Sequence, residues 1–118
     1  MIANKYRFHG YGSLKYVYRN GEAVRSRHMT IKYTKNPRRK LPRISIVVSK
    51  KVIKSAVARN RIRRRLYEQF RLRLPDISLP HDIVCIVSLA EVRTMPTEML
   101  TEEINGLLQE AGICNKQM

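Results

Sequence analysis

The stretch RISIVVSKKVIKSAVARNRIRRRLYEQFR, residues 43 to 71, changes its periodicity partway along. Ile44, Ile46, Val47 and Val48 form a β-branched run too continuous for a strand with one wet face, so residues 43–49 read as a strand buried on both sides. Past Ser55 the repeat becomes helical. Ala58, Ile62, Leu66 and Phe70 recur every four residues, a slowly drifting stripe along a helix that runs from a Ser55 cap to about residue 73. Pro75 and Pro80 bracket a connection, after which DIVCIVS at 82–88 reads as a second buried strand. Strand, helix and strand in this order make a βαβ unit with parallel strands. General statistics would make its crossover right-handed.

Outward from that unit the elements are plainer. Residues 13–20 read as a short helix, with Leu14, Val17 and Tyr18 on one face and Gly21 as its stop. Residues 28–35 alternate, Met29, Ile31 and Tyr33 against His28, Thr30 and Lys32, the mark of a half-buried strand. Residues 36–42 form a basic turn closed by two prolines. Pro96 and Thr97 open a last helix, with Leu100, Ile104, Leu107, Leu108 and Ala111 on one face and Gly112 at its end. Glu98, Glu102 and Glu103 crowd its first turns, where the helix dipole favours acids. The predicted order is α-β-β-α-β-α, and helices must cover at least one face of so small a sheet. The fold class is therefore α/β, a small two-layer sandwich. A length of 118 residues predicts a single domain over residues 1–118, able to bury roughly two thirds of its unfolded surface.

Charge narrows the function. The chain carries 24 Lys and Arg against 9 Asp and Glu, a formal +15. Residues 1–75 hold 22 of those bases and only Glu22 and Glu68 as acids, giving +20; residues 76–118 hold two bases and seven acids, giving −5. A field this one-sided implies a polyanionic partner. A membrane is disfavoured, because the longest apolar run, Ile83-Val84-Cys85-Ile86-Val87, is far too short to span. The start MIANKYRFHGYG has no hydrophobic signal core, so a cytoplasmic location is expected. Cys85 and Cys114 are too few and too distant for a disulfide framework or a zinc site; Cys85 reads as a buried thiol and Cys114 as part of a frayed tail. His9, His28 and His81 are scattered and read as surface or turn residues.

The helix at 56–73 breaks local rules. On its wheel Asn60, Arg61, Arg64, Tyr67 and Arg71 gather opposite the apolar stripe, with Arg63 and Arg65 at the edges of that arc. Arg59 falls near the stripe, at the helix start, where a long side chain can snorkel outward. The pairs 59–63, 61–64 and 61–65 set like charges at neighbouring positions, at about 0.2–0.5 kcal/mol each. Only Glu68 is placed to offset Arg64 and Arg65, and Asn60 is a poor helix former. Such a face suits phosphates: arginine forks grip their oxygens bidentately, and Asn both donates and accepts.

Taken together, Ser49-Lys50-Lys51, Ala56-Val57 and Arg59-Asn60-Arg61-Ile62-Arg63-Arg64 resemble the protein subunit of bacterial ribonuclease P, whose signature is a Ser-Lys-Lys strand end followed by an Arg-Asn-Arg helix. Glu68 and Phe70 continue the pattern, Arg7-Phe8 and Gly21 are compatible with it, and the resemblance runs over about residues 7–111. It implies a left-handed βαβ crossover, against the general rule. It also implies that the Arg-Asn-Arg face binds a catalytic RNA, through Lys50, Lys51, Arg59, Asn60, Arg61, Arg63 and Arg64. The single-stranded 5′ leader of precursor tRNA would lie in a cleft between that helix and the sheet. Tyr18 matches an aromatic of the first helix that lines this cleft, although an aromatic at helical spacing reads equally as core. Two positions depart from the family. Tyr67 stands where another Arg is common, with an extra Arg65 nearby; Tyr67 would stack on a base or shield arginine stems. Leu14 replaces the cleft's usual Phe and removes a stacking platform.

Three functions compete on these residues. A nuclease acting by itself needs carboxylates converging on metal ions, and the acids here sit mostly on the solvent side of the last helix. A ribosomal or general RNA-binding protein would share the composition but not the signature. The reading that fits is a ribonuclease P protein subunit that assists removal of the tRNA 5′ leader. The resemblance puts the chemistry in the partner RNA, with magnesium (Mg2+) bound mainly by that RNA and the substrate, and no catalytic or metal-binding residue in this chain. Expected partners are the catalytic RNA and precursor tRNA; no obligate protein partner is evident.

Overall fold

The computed structural model of the protein describes residues 11–36, 41–77 and 81–113. Their order is α1 (Tyr11–Asn20), β1 (Glu22–Arg25), β2 (Met29–Lys35), β3 (Arg43–Val47), α2 (Ala56–Arg73), β4 (His81–Val87) and α3 (Thr97–Ala111). Short 3-10 turns at Leu74–Asp76 and Ala90–Arg93 precede β4 and α3. The strands form a four-stranded sheet in the order β1-β2-β4-β3. β3 and β4 are parallel, as a βαβ unit requires, while β2 joins β4 and β1 antiparallel. Expectations for Arg7, Phe8, His9, the tip of the basic turn at 37–40 and Cys114 lie outside the described residues.

The main core lies between the sheet and the pair α2 and α3. Ile62, Leu66 and Phe70 of α2 meet Ile44, Ile83 and Cys85 of the sheet and Leu100, Ile104 and Leu108 of α3 in one cluster. The Cys85 thiol, wholly buried beside Met29, has its pKa pushed up to about 12 by burial and is inert as a nucleophile. α1 lies across part of the opposite face, where Val17 packs on Val84 with half-buried Leu14, Val47 and Ile86 around them. That second cluster explains why β3 and β4 read as continuous apolar runs.

The sequence reading missed β1. Its four residues bury only Val24, too little for a period to register, and it forms because it pairs with β2 from Glu22↔Tyr33 to Arg25↔Thr30. Gly21 makes the preceding corner possible. A Cβ there would lie 2.6 Å from the Val17 carbonyl oxygen and 2.7 Å from that of Tyr33, so any side chain would collide with backbone.

Candidate nucleic-acid interface

The first half of α2 and the turn before it carry a group of exposed cations, Lys50, Lys51, Arg61 and Arg64. The Ser55 hydroxyl accepts from Ala58 N at 3.2 Å and caps the helix, as its sequence predicts. Lys50 and Lys51 stand exposed on the turn between β3 and α2. Arg61 and Arg64 are exposed and make no hydrogen bond or ion pair among the described residues. Arg63 is half-buried and donates to the Asn60 side-chain oxygen at 2.9 Å. Arg59 turns back rather than outward, donating from Nη1 to the carbonyls of Ile53 (3.1 Å) and Lys54 (2.6 Å).

The second half of α2 corrects several expectations. Arg65 donates to the carbonyls of Val92 (2.8 Å) and Met95, tying α2 to the segment before α3, so its guanidinium is engaged inside the fold. Tyr67 is 3% exposed and belongs to the main core; its hydroxyl accepts from Ile46 N at 3.3 Å. A ring so placed has no face free to stack on a base. The reason is β3, an edge strand whose outward N–H groups lack a neighbouring strand and so draw a hydroxyl from the helix above. Glu68 pairs with Arg71 rather than with Arg64 or Arg65, and that hydrogen bond lowers its carboxyl pKa. Arg64 is left uncompensated.

The residues expected to line the leader cleft, Tyr18 and Leu14, belong to the first helix, as the sequence reading has them. α2 is packed against the sheet by Ile62, Leu66, Tyr67 and Phe70. Tyr18 and Leu14 sit on α1, over the other face. Tyr18 is 40% exposed, so it is not core, and Lys32 Nζ of β2 lies 5.2 Å from its ring centre, within cation–π range. Leu14 instead packs against the Val17–Val84 pair. Beside α1 the sheet presents half-buried Thr30, Lys32, Val47 and Ile86, a shallow floor with both apolar and cationic ground.

Several of the remaining ionisable groups hold the fold together. Asp82 accepts from Arg43 Nε and Nη2 (2.9 and 2.8 Å) and from Asn36 Nδ2 (2.9 Å), and its hydrogen bond raises the Arg43 pKa. His28 and His81, expected at the surface or in turns, lie in the bend between β1 and β2 and in β4 respectively, and both are buried, at 6% and 3% exposed. His28 Nδ1 lies 2.8 Å from Glu103 Oε1, and Glu103 also accepts from the Ser26 hydroxyl and from His28 N (3.2 Å). Burial alone would raise the Glu103 pKa; the hydrogen bonds from Ser26 and His28 outweigh it and hold the carboxyl below its usual value. Glu103 therefore does not join the solvent face of α3. Among the described residues no three His, Cys, Asp or Glu side chains group as metal ligands.

A small α/β sandwich with unpaired cations along one helix, and the carboxylates of Asp82 and Glu103 bonded within the fold, is a binding protein for a polyanion. The Ribonuclease P family profile matches residues 2–112, and the chain belongs to that family. The Ribonuclease P protein component of Prochlorococcus marinus is 32% identical over 92% of this chain and 94% of its own length. That of Staphylococcus haemolyticus is 35% identical over 86% of both. The chain spans only about half, 54%, of the Synechococcus component, to which it is 42% identical. The solved RNase P protein of Staphylococcus aureus superposes with a TM-score of 0.82 at 28% identity, covering 93% of this chain and 98% of that one. The role that goes with the family is that of the protein subunit, associated with ribonuclease P RNA, in a ribonucleoprotein endoribonuclease of tRNA processing.

Proposed function

We propose that this chain binds ribonuclease P RNA through Lys50, Lys51, Arg61, Arg63 and Arg64, and assists removal of the 5′ leader from precursor tRNA. The observation that carries the reading is the pair Arg61 and Arg64, exposed, unpaired among the described residues and adjacent on α2. Unpaired arginines repel one another in the free protein, and phosphates relieve that repulsion while releasing counterions. The leader would lie on the α1 face, along Tyr18, Lys32 and the floor of Val47 and Ile86, where a ring and a cation flank a shallow open surface. Asp82 and Glu103 are already hydrogen-bonded within the fold, so this chain offers magnesium little; the ions that activate water would be held by the RNA and substrate. The chain's own part is to bring cations between two polyanions and so replace part of the magnesium needed to screen them.

The test is cleavage of precursor tRNA by protein alone, RNA alone and both, at low magnesium. The expected result is no cleavage by the protein, little by the RNA and turnover by the pair. Magnesium-dependent cleavage by RNA-free protein would contradict the reading.

A further inference from the structure

The three side chains of the Arg-Asn-Arg signature differ in what they touch. Arg61 faces solvent, Asn60 holds Arg63, and Arg59 points back at the turn that enters the helix. That turn is built from several fastenings. The Ser49 carbonyl accepts from the amides of Val52 (3.1 Å) and Ile53 (3.3 Å), which puts Lys50 and Lys51 at an exposed tip. Val52 and Ile53 pack half-buried against the main core. Arg59 closes the far side, its Nη1 bonded to the carbonyls of Ile53 and Lys54. Both hydrogens on that nitrogen go to neutral acceptors, which is a structural use of a guanidinium rather than a salt bridge. Lys50 and Lys51 share their charge sign with Arg61 and Arg64, so repulsion favours swinging the tip away from the helix. The Arg59 bonds act against that.

We propose that Arg59 is a positioning residue, which fastens the 49–54 turn to the first turn of α2 so that Lys50 and Lys51 meet RNA on one surface with Arg61 and Arg64. The proposal rests on the RNA-binding reading above. Its benefit is preorganisation: cations already held in place lose less freedom on binding. A residue that contacts phosphate by itself gives a loss independent of the lysines, whereas one that works through them loses its effect once they are gone.

A four-protein cycle separates these cases: wild type, Arg59→Ala, Lys50→Ala with Lys51→Ala, and all three together. Affinity for transcribed ribonuclease P RNA is measured at one salt concentration, with Arg61→Ala as the reference contact. Amide exchange of Val52 and Ile53 is followed in the free proteins. Arg59→Ala is expected to weaken binding about tenfold in the wild type and less than about threefold without the two lysines. It should speed exchange at Val52 and Ile53 while leaving the amides of Leu66 and Phe70 protected. An equal loss in both backgrounds, or unchanged exchange in the turn, would overturn the positioning role alone. If neither the lysine pair nor Arg61→Ala affects binding, the RNA-binding reading falls and the proposal with it.

Discussion

In the first half of α2, Arg61 and Arg64 reach solvent with no partner among the described residues; in the second half, Arg65, Arg71 and Arg73 are each bonded within the protein. The sharpest contrast is between Arg64 and Arg73. Arg73 is 6% exposed and donates to Asn105 Oδ1 (2.6 Å), to the backbone and side-chain oxygens of Gln69 (2.5 and 2.9 Å) and to the Thr101 carbonyl (3.2 Å). One residue type therefore does two jobs on one helix. The difference lies in the neighbours: α3 and the segment before it lie along the second half and offer carbonyls and amides, while the arginines of the first half find, among the described residues, only the entering turn and Asn60. A buried guanidinium needs such oxygens, because a charge taken from water must be compensated by hydrogen bonds.

The largest effect expected from this contrast is at Arg73. Arg73→Ala removes a buried charged donor and strands Gln69, Asn105 and a carbonyl, so denaturant unfolding should show a loss of about 3 kcal/mol. RNA affinity of the remaining folded protein should not change. A stability near wild type would mean that the two halves of α2 do not differ as described. Next in size is Tyr67→Phe, which keeps the ring in the core but leaves the Ile46 N–H without its acceptor, at about 1–2 kcal/mol by the same measurement. Its RNA affinity should equal that of the wild type, and a weakened complex would restore Tyr67 to the binding surface.

Much of the fold was legible in the sequence, and the misses share a cause. The βαβ unit, the Ser55 cap and the Ile62, Leu66, Phe70 stripe followed from periodicity alone, since each concerns a single element or its immediate neighbours in the chain. Arg73 could have been found too: at 100° per residue it falls inside the apolar stripe, between Ile62 and Leu66, where a charged side chain must be partnered. Tyr67 lies about 60° past Phe70, and Arg65 about 20° beyond Ala58 on the other flank. A wheel puts both on or near the polar arc. In the fold the buried arc is wider than a stripe, because α2 has the β3 edge along one flank and Val92 to Met95 along the other. Which neighbours flank a helix is a tertiary fact that no periodicity holds. His28 and His81 escaped the sequence reading for the same reason, being lone residues whose burial depends on Glu103 and on the sheet packing around them.

The central claim, that the exposed arginines of the first half of α2 and not those tied to the rest of the fold meet RNA, is tested most directly by salt dependence. Affinity for ribonuclease P RNA is titrated over a range of salt for the wild type, for Arg61→Ala with Arg64→Ala, and for Arg65→Ala. Removing one arginine–phosphate pairing should reduce the slope of log affinity against log salt by about 0.7–0.9. The double variant is therefore predicted to flatten the slope by two such steps with its fold unchanged by circular dichroism. Arg65→Ala should lose stability but keep the wild-type slope. A double variant with an unaltered slope, or an Arg65→Ala slope reduced by one full step, would contradict the account.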